Sequence, residues 1–140
     1  MRGGCRQLRH RAGRQVEVTQ RTALGRRAEL AVTDYLVARG FRVLARNMRV
    51  GSLEIDVVAR RGPLVVAVEV RTRSEHSFER PLESIGPAKQ RRMLAAAERL
   101  WCDHLSSAAD VDFLRIDVAS VVFRGGQTFV EYLESAVTGY

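Results

Sequence analysis

The stretch LEIDVVARRGPLVVAVEVR, residues 53–71, decides the fold. Two valine-rich runs flank Arg61-Gly62-Pro63, and β-branched runs split by such a turn signal read as a β-hairpin. The first run predicts a strand over Leu53–Ala59 and the second a strand over Leu64–Thr72. Side chains alternate between faces along a strand. Glu54 and Asp56 therefore share one face of the first strand. Glu69 and Arg71 share a face of the second with Val65 and Ala67. With Arg61-Gly62 as the two turn residues, Glu54 lies opposite Glu69. Asp56 then lies opposite Ala67 and diagonal to Glu69. Acidic groups thus interrupt a run whose other residues call for burial.

Upstream, Phe41–Met48 reads as a further strand. Before it, Leu24, Ala28, Ala31, Val32, Tyr35 and Leu36 recur at helical spacing. A helix is predicted from Thr22, as N-cap, to a stop at Gly40. Downstream, residues 73–86 are polar and irregular. Gly86-Pro87 opens a second helix, with proline at its permitted first position. That helix is predicted to run to about His104 on Met93, Leu94, Ala97, Leu100 and Trp101. Phe113–Phe123 and Thr128–Leu133 read as two more strands around Gly125-Gly126. The expected order is α-β-β-β-α-β-β, an α/β fold with a mixed five-stranded sheet and helices packed on it.

The 140 residues, 46% of them hydrophobic, suit one domain with a real core, expected over residues 22–140. The formal net charge of +7 sits mostly in residues 1–21, where Arg2, Arg6, Arg9, Arg11, Arg14 and Arg21 face Glu17 alone. This segment is aperiodic and expected to be a disordered basic tail. It can attract nucleic acid or anionic lipid, or be a solvated leader or the product of an upstream start codon. Cys5 and Cys102 have no zinc-type spacing, and His10, His76 and His104 form no HExxH motif. His76 reads as a solvated loop residue or one approaching substrate, and His104 as packed or capping. No P-loop, nucleophile elbow or dinucleotide fingerprint occurs. The longest apolar run, Leu64–Val68, is a strand's worth, and no signal-peptide stretch is visible. A reduced, cytoplasmic protein without a membrane partner is expected.

The carboxylates need an explanation. An unpaired buried carboxylate is strongly penalised, and close carboxylates repel. Arg71 can offset that charge, and so can Mg²⁺, which favours oxygen ligands. A metal site and a plain salt-bridged patch both fit. Glu29 lies at the margin of the first helix's apolar stripe, either joining the group or standing as an ordinary boundary residue. Gln90 falls on the second helix's apolar face, where its amide needs partners, at the site or on the backbone.

Taken in order, GRRAELA (25–31), NMR (47–49), EID (54–56), VEVRTR (68–73), KQRR (89–92) and RID (115–117) resemble the YraN-type family of predicted bacterial endonucleases. The likeness spans roughly residues 23–123. These proteins are relatives of archaeal Holliday junction resolvases, and the resemblance implies a restriction-endonuclease-like fold. It also implies a PD-(D/E)xK-type site that hydrolyses phosphodiester bonds of structured or damaged DNA with Mg²⁺ or Mn²⁺. Asp56 and Glu69 match the principal metal ligands, joined by the Val70 backbone carbonyl. Glu29 matches the helical acid and Gln90 the helical glutamine. A nucleic-acid partner, DNA before RNA, and a homodimer follow from the same likeness.

Two positions depart from the family pattern. Arg71 stands where a lysine is usual, and arginine does not give up its proton. Leu53 stands where glycine is usual. The chain has one lysine among 23 basic residues, Lys89, beside Gln90. Lys89 either reaches into the site and supplies the missing lysine, or is simply the lysine the chain retained. Arg73, Arg80, Arg91 and Arg92 flank the site as sequence-blind phosphate contacts or as a solvated rim. Arg115 and Asp117 share a strand face and suit a structural ion pair. Asn47 and Arg49 read as turn-shaping or backbone-binding residues. The alternative function is a catalytically weak or inactive nuclease-fold module that binds branched DNA or RNA. A protein-interaction scaffold is a third.

Overall fold

The computed structural model describes residues 15–73 and 85–137, with side chains from Ala23 onward. The deciding hairpin is formed by β2 (Leu53–Arg61) and β3 (Leu64–Arg73). Its pairing runs from Arg61↔Leu64 to Val57↔Val68, so the turn is Gly62-Pro63 rather than Arg61-Gly62. The reason is conformational. Gly62 has φ +58, and a two-residue hairpin turn of this kind wants glycine first. The register moves by two residues. An even shift preserves every facing, but it brings Asp56 level with Glu69 instead of Ala67.

The sheet places five strands side by side in chain order. β1 (Arg42–Val50), β2 and β3 form an antiparallel meander. β4 (Phe113–Arg124) lies parallel to β3, and β5 (Gln127–Val137) returns antiparallel to β4. The parallel step needs a crossover, supplied by α2 (Pro87–Leu100) and a π-helical turn at Trp101–Leu105. The first helix, α1 (Gln15–Ala38), covers the other face. This is the expected α-β-β-β-α-β-β order, a mixed five-stranded α/β sheet.

Ala28, Val32 and Leu36 of α1 pack on Val57, Ala59, Val66 and Val68. On the opposite face, Ala96 and Leu100 of α2 pack on Val58, Val65 and Ala67, while Met93 and Ala97 meet Ile116 and Val118. Helical spacing on the helices and alternation on the strands generate these two cores. Leu24, expected in the stripe, is 45% exposed. The first helix also starts seven residues before Thr22, since Gln15–Arg21 contains no glycine or proline to stop it. Residues 1–14 lie outside the described residues. None of the described helices is long and apolar enough to cross a membrane.

One departure from regularity positions the site. The β2–β3 ladder ends at Val57↔Val68. Yet β1–β2 pairing continues to Val50↔Leu53, and β3–β4 pairing to Arg73↔Val122. The sheet therefore forks beyond Val57 and Val68. On β2, Ile55 belongs to the α2-side core and Val57 to the α1-side core, so the strand twists as it leaves β3.

Candidate functional site

Asp56 sits at the fork. Its Oδ2 accepts the Val70 N–H at 2.8 Å, so a side chain takes the place of a strand partner. In an extended strand a residue's N–H and C=O point to the same side, which turns the Val70 carbonyl toward the fork as well. Glu69, 8% exposed, lies one residue before Val70. Asp56 and Glu69 are close enough to share a hydrogen bond and to repel when both are charged. Burial first, and the Glu69 charge second, push Asp56 up to about 8, against the opposing pull of the Val70 N–H.

Lys89, in the first turn of α2, brings Nζ to 3.0 Å from Glu69 Oε1. It reaches the acid pair from the helix, across the α2 face of the sheet. Gln90 does something else. Its Nε2 donates to the Ile85 carbonyl at 3.0 Å, tying down the start of α2 rather than reaching the carboxylates. Sequence pattern put both residues near the site. The helix phase turns only Lys89 toward the acids.

Glu29 approaches the pair from α1, near enough for its charge to act on Asp56. Its Oε2 accepts from Asn47 Nδ2 at 3.0 Å. Burial raises its pKa, with Asn47 opposing and the charge of Glu54 reinforcing the rise. Asn47 has φ +51, a left-handed conformation that asparagine tolerates better than most residues. Glu29 thus flanks the pair, with one oxygen tied to Asn47 and its charge adding to the rise at Asp56. Asn47 contributes its amide as well as its backbone shape. Glu54 is exposed, opposite Arg49 on β1, and lines a small pocket with Glu69 and Met93. The expected register set Glu54 directly opposite Glu69; the two-residue shift moves it along β2, and it still lines a pocket with Glu69.

The basic residues separate in the same way. Arg71 follows Glu69 on the same strand face, opposite Ser120, and is half-buried. Arg73 is turned toward β5, with Nη1 3.8 Å from Glu131 Oε2 and most of its side chain buried. It is therefore not the open phosphate contact expected of it. Arg91 and Arg92 are exposed on α2 beside Lys89. Arg80 and His76 lie outside the described residues. Away from the fork, the expected Arg115–Asp117 pair is present, with Arg115 Nε and Nη2 at 2.8 and 2.9 Å from the carboxylate.

Among the described residues, no three histidine, cysteine or acidic side chains converge as a ready-made metal cage. The available donor set is two carboxylates and the Val70 carbonyl. That set suits Mg²⁺, which commonly takes one or two carboxylates and retains several waters. Burial and the Glu69 charge favour the protonated form of Asp56, and a cation there would relieve the same repulsion.

Fold and site together define an α/β domain with a mixed five-stranded sheet and a buried acidic pair at a fork in that sheet. The chain belongs to uncharacterised protein family UPF0102, whose profile matches residues 28–121; this is the YraN-type family that its motifs resemble. A UPF0102 protein of Sorangium cellulosum is 49% identical over 117 residues, which cover 83% of this chain and 81% of that one. A relative from Anaeromyxobacter dehalogenans is 40% identical, covering 85% and 87%. One from Myxococcus xanthus is 38% identical, covering 88% and 95%. Among solved structures, Pyrococcus furiosus SfsA in complex with Ca²⁺ aligns with a TM-score of 0.41 at 14% identity. That alignment covers 81% of this chain and 63% of SfsA, and the likeness is too distant to carry chemistry.

Proposed function

We propose that this protein is a divalent-metal-dependent endonuclease acting on structured or damaged DNA. The observation that carries the reading is the buried Asp56–Glu69 pair at the fork, with Lys89 as its neighbouring cation. A purely structural sheet gains nothing from two adjoining carboxylates that raise each other's ionisation cost.

Asp56, Glu69 and the Val70 carbonyl would hold Mg²⁺ or Mn²⁺. When bound, such an ion neutralises phosphate charge and makes its water acidic enough to attack. The protein's own groups do the rest. Asp56 would hold the ion as a carboxylate, because a cation there offsets the burial and repulsion that otherwise favour its protonated form. Glu69 is oriented by the Lys89 ammonium. Lys89 is also placed to meet a phosphoryl oxygen, a role that Arg71 can share as a fixed positive charge but not as a proton acceptor. Gln90 positions the first turn of α2, and thereby Lys89. Arg91 and Arg92 meet the DNA backbone from the same helix.

The test is to incubate the protein with branched, flapped, single-stranded and duplex DNA in Mn²⁺, Mg²⁺ or EDTA, beside Asp56→Ala. Metal-dependent cutting that the variant lacks supports the proposal. Tight binding with no cutting in either metal supports the second reading, a module that binds branched DNA or RNA. Two observations favour that second reading: arginine at position 71, and the lack of a three-acid cage among the described residues. No binding at low salt removes both and leaves an interaction scaffold. Sedimentation with a two-fold junction tests for the homodimer.

A further inference from the structure

The β4–β5 hairpin carries a feature that the acid pair does not use. Arg124 pairs with Gln127 across Gly125-Gly126, whose φ values of +56 and +77 suit a tight, strand-matched turn. Each strand places a phenylalanine next to this turn. Phe123 packs at the edge of the α1-side core, and the Arg27 guanidinium lies 4.6 Å from its ring centroid. Phe129 pairs with Val122 on the opposite face, with Arg124 5.8 Å from its centroid. Phe129 is 47% exposed. It stands on an edge strand, where a ring left in water gains little for folding.

The register relates this hairpin to the acids. Glu69 is level with Val118 in the parallel β3–β4 pair. Val122, the partner of Phe129, is four residues further along β4, about 13 Å at the usual strand rise. By alternation Val118, Val122 and Arg124 face the α2 side, as Glu69 does. Phe129 is thus an exposed ring on the same face and at the same end of the sheet as Glu69 and Lys89.

An aromatic ring with a guanidinium beside it fits one kind of partner well. The ring stacks on a base, and the cation meets the adjoining phosphate. Bases inside a duplex are already stacked and cannot be taken up this way. We infer that the β4–β5 hairpin is a stacking surface for unpaired nucleobases, with Phe129 as the platform and Arg124 as the phosphate contact. The inference rests on the nucleic-acid reading above and narrows the substrate class to DNA with unpaired bases beside the cleavage site, as in a gap, a flap or an open junction.

The test is made in EDTA, so that binding is read without cutting. Fluorescence anisotropy compares the full-length protein, Phe129→Ala and Phe129→Trp on a gapped duplex and on a blunt duplex of the same length. A 2-aminopurine in the gap reports stacking. Phe129→Ala is expected to weaken binding to the gapped DNA about tenfold, the effect of losing one stacked base. It is expected to leave the blunt duplex within about twofold, because backbone contacts do not read base exposure. Phe129→Trp is expected to restore affinity and quench the 2-aminopurine. Equal losses on both DNAs, no loss on either, or failure of tryptophan to rescue overturns the inference. So does a change in sedimentation of the free protein on Phe129→Ala, which assigns the ring to contact with a second copy. Loss of cutting in Asp56→Ala is scored separately, so nuclease chemistry can fail while the stacking surface stands, and the reverse.

Discussion

Asp56 and Asp117 are aspartates on strands of one sheet, and their surroundings differ in kind. Asp117 is fully buried and well supplied with donors. It accepts two N–H groups from Arg115, the Tyr132 hydroxyl at 2.6 Å and the Ser135 N–H at 2.9 Å. Ser135, at φ +52, belongs to an irregularity where the β4–β5 register slips between Ile116 and Val118. Asp117 thus fastens a bulge. The Tyr132 pKa rises, through burial first and its bond to Asp117 second, so the hydroxyl stays a donor. Asp56 has the Val70 N–H and, on another side, a second carboxylate. A buried acid with a complete donor set is a structural part. A buried acid short of donors and next to another is a place prepared for something positive.

The sharpest way to break this contrast is Asp56→Asn. On the proposed reading it reduces Mn²⁺-dependent cutting to background in a nuclease assay while the protein stays folded. Retained cutting would make Asp56 as structural as Asp117. Next comes Asp117→Ala, which leaves Arg115 only its longer contact with Glu134 and removes the anchor of the bulge. It should destabilise the fold by about 3–5 kcal/mol, the usual consequence of breaking a buried pair, in a denaturant titration. Mn²⁺ affinity measured calorimetrically on the folded fraction should not change. Lys89→Ala should lower cutting by about 100-fold, the low end of the usual range for one positioned donor. Its partly exposed ion pair should contribute no more than about 1 kcal/mol to folding. Full activity in that variant would leave Lys89 a surface ion pair.

The smallest effect separates the two aspartates by pH. Asp56 titrates at about 8 in the fold against an ordinary 3.8, so between those values the native state holds the extra proton. Stability from this group is complete below about pH 4 and is lost as pH rises through 8. Without metal, the melting temperature should fall by several degrees between pH 5 and pH 8. Asp56→Asn should flatten that slope, and Mn²⁺ should reverse it at pH 8. An unchanged slope in the variant would mean that Asp56 is not the group responsible.

Much of this arrangement was legible in the sequence, because local periodicity dictates it. The valine runs gave β2 and β3, and the spacing of Ala28, Val32 and Leu36 gave the buried face of α1. Strand alternation put Asp56 and Glu69 on one side. What was not legible depends on contacts distant in the chain. The choice of Gly62-Pro63 as the turn set the register, and no pattern reveals that the ladder stops at Val57. Arg73 looked like a phosphate contact until β5 brought Glu131 beside it. Glu29 and Asn47 meet only when α1 packs on β1, and the partners of Asp117 arrive with the bulge in β5. Lys89 and Gln90 are adjacent, and only the docked pose of α2 decides which one faces the acids.

The chain order of these parts has a kinetic consequence. Asp56 and Glu69 belong to consecutive strands of a tight hairpin, so they meet as soon as that hairpin closes. Lys89 comes later, on the crossover helix that leads to the parallel strand, and long-range parallel pairing is intrinsically slow. During synthesis from the N-terminus, the chain therefore encounters its least favourable charge contact early, and the cation that relieves it docks only when the second half of the sheet closes.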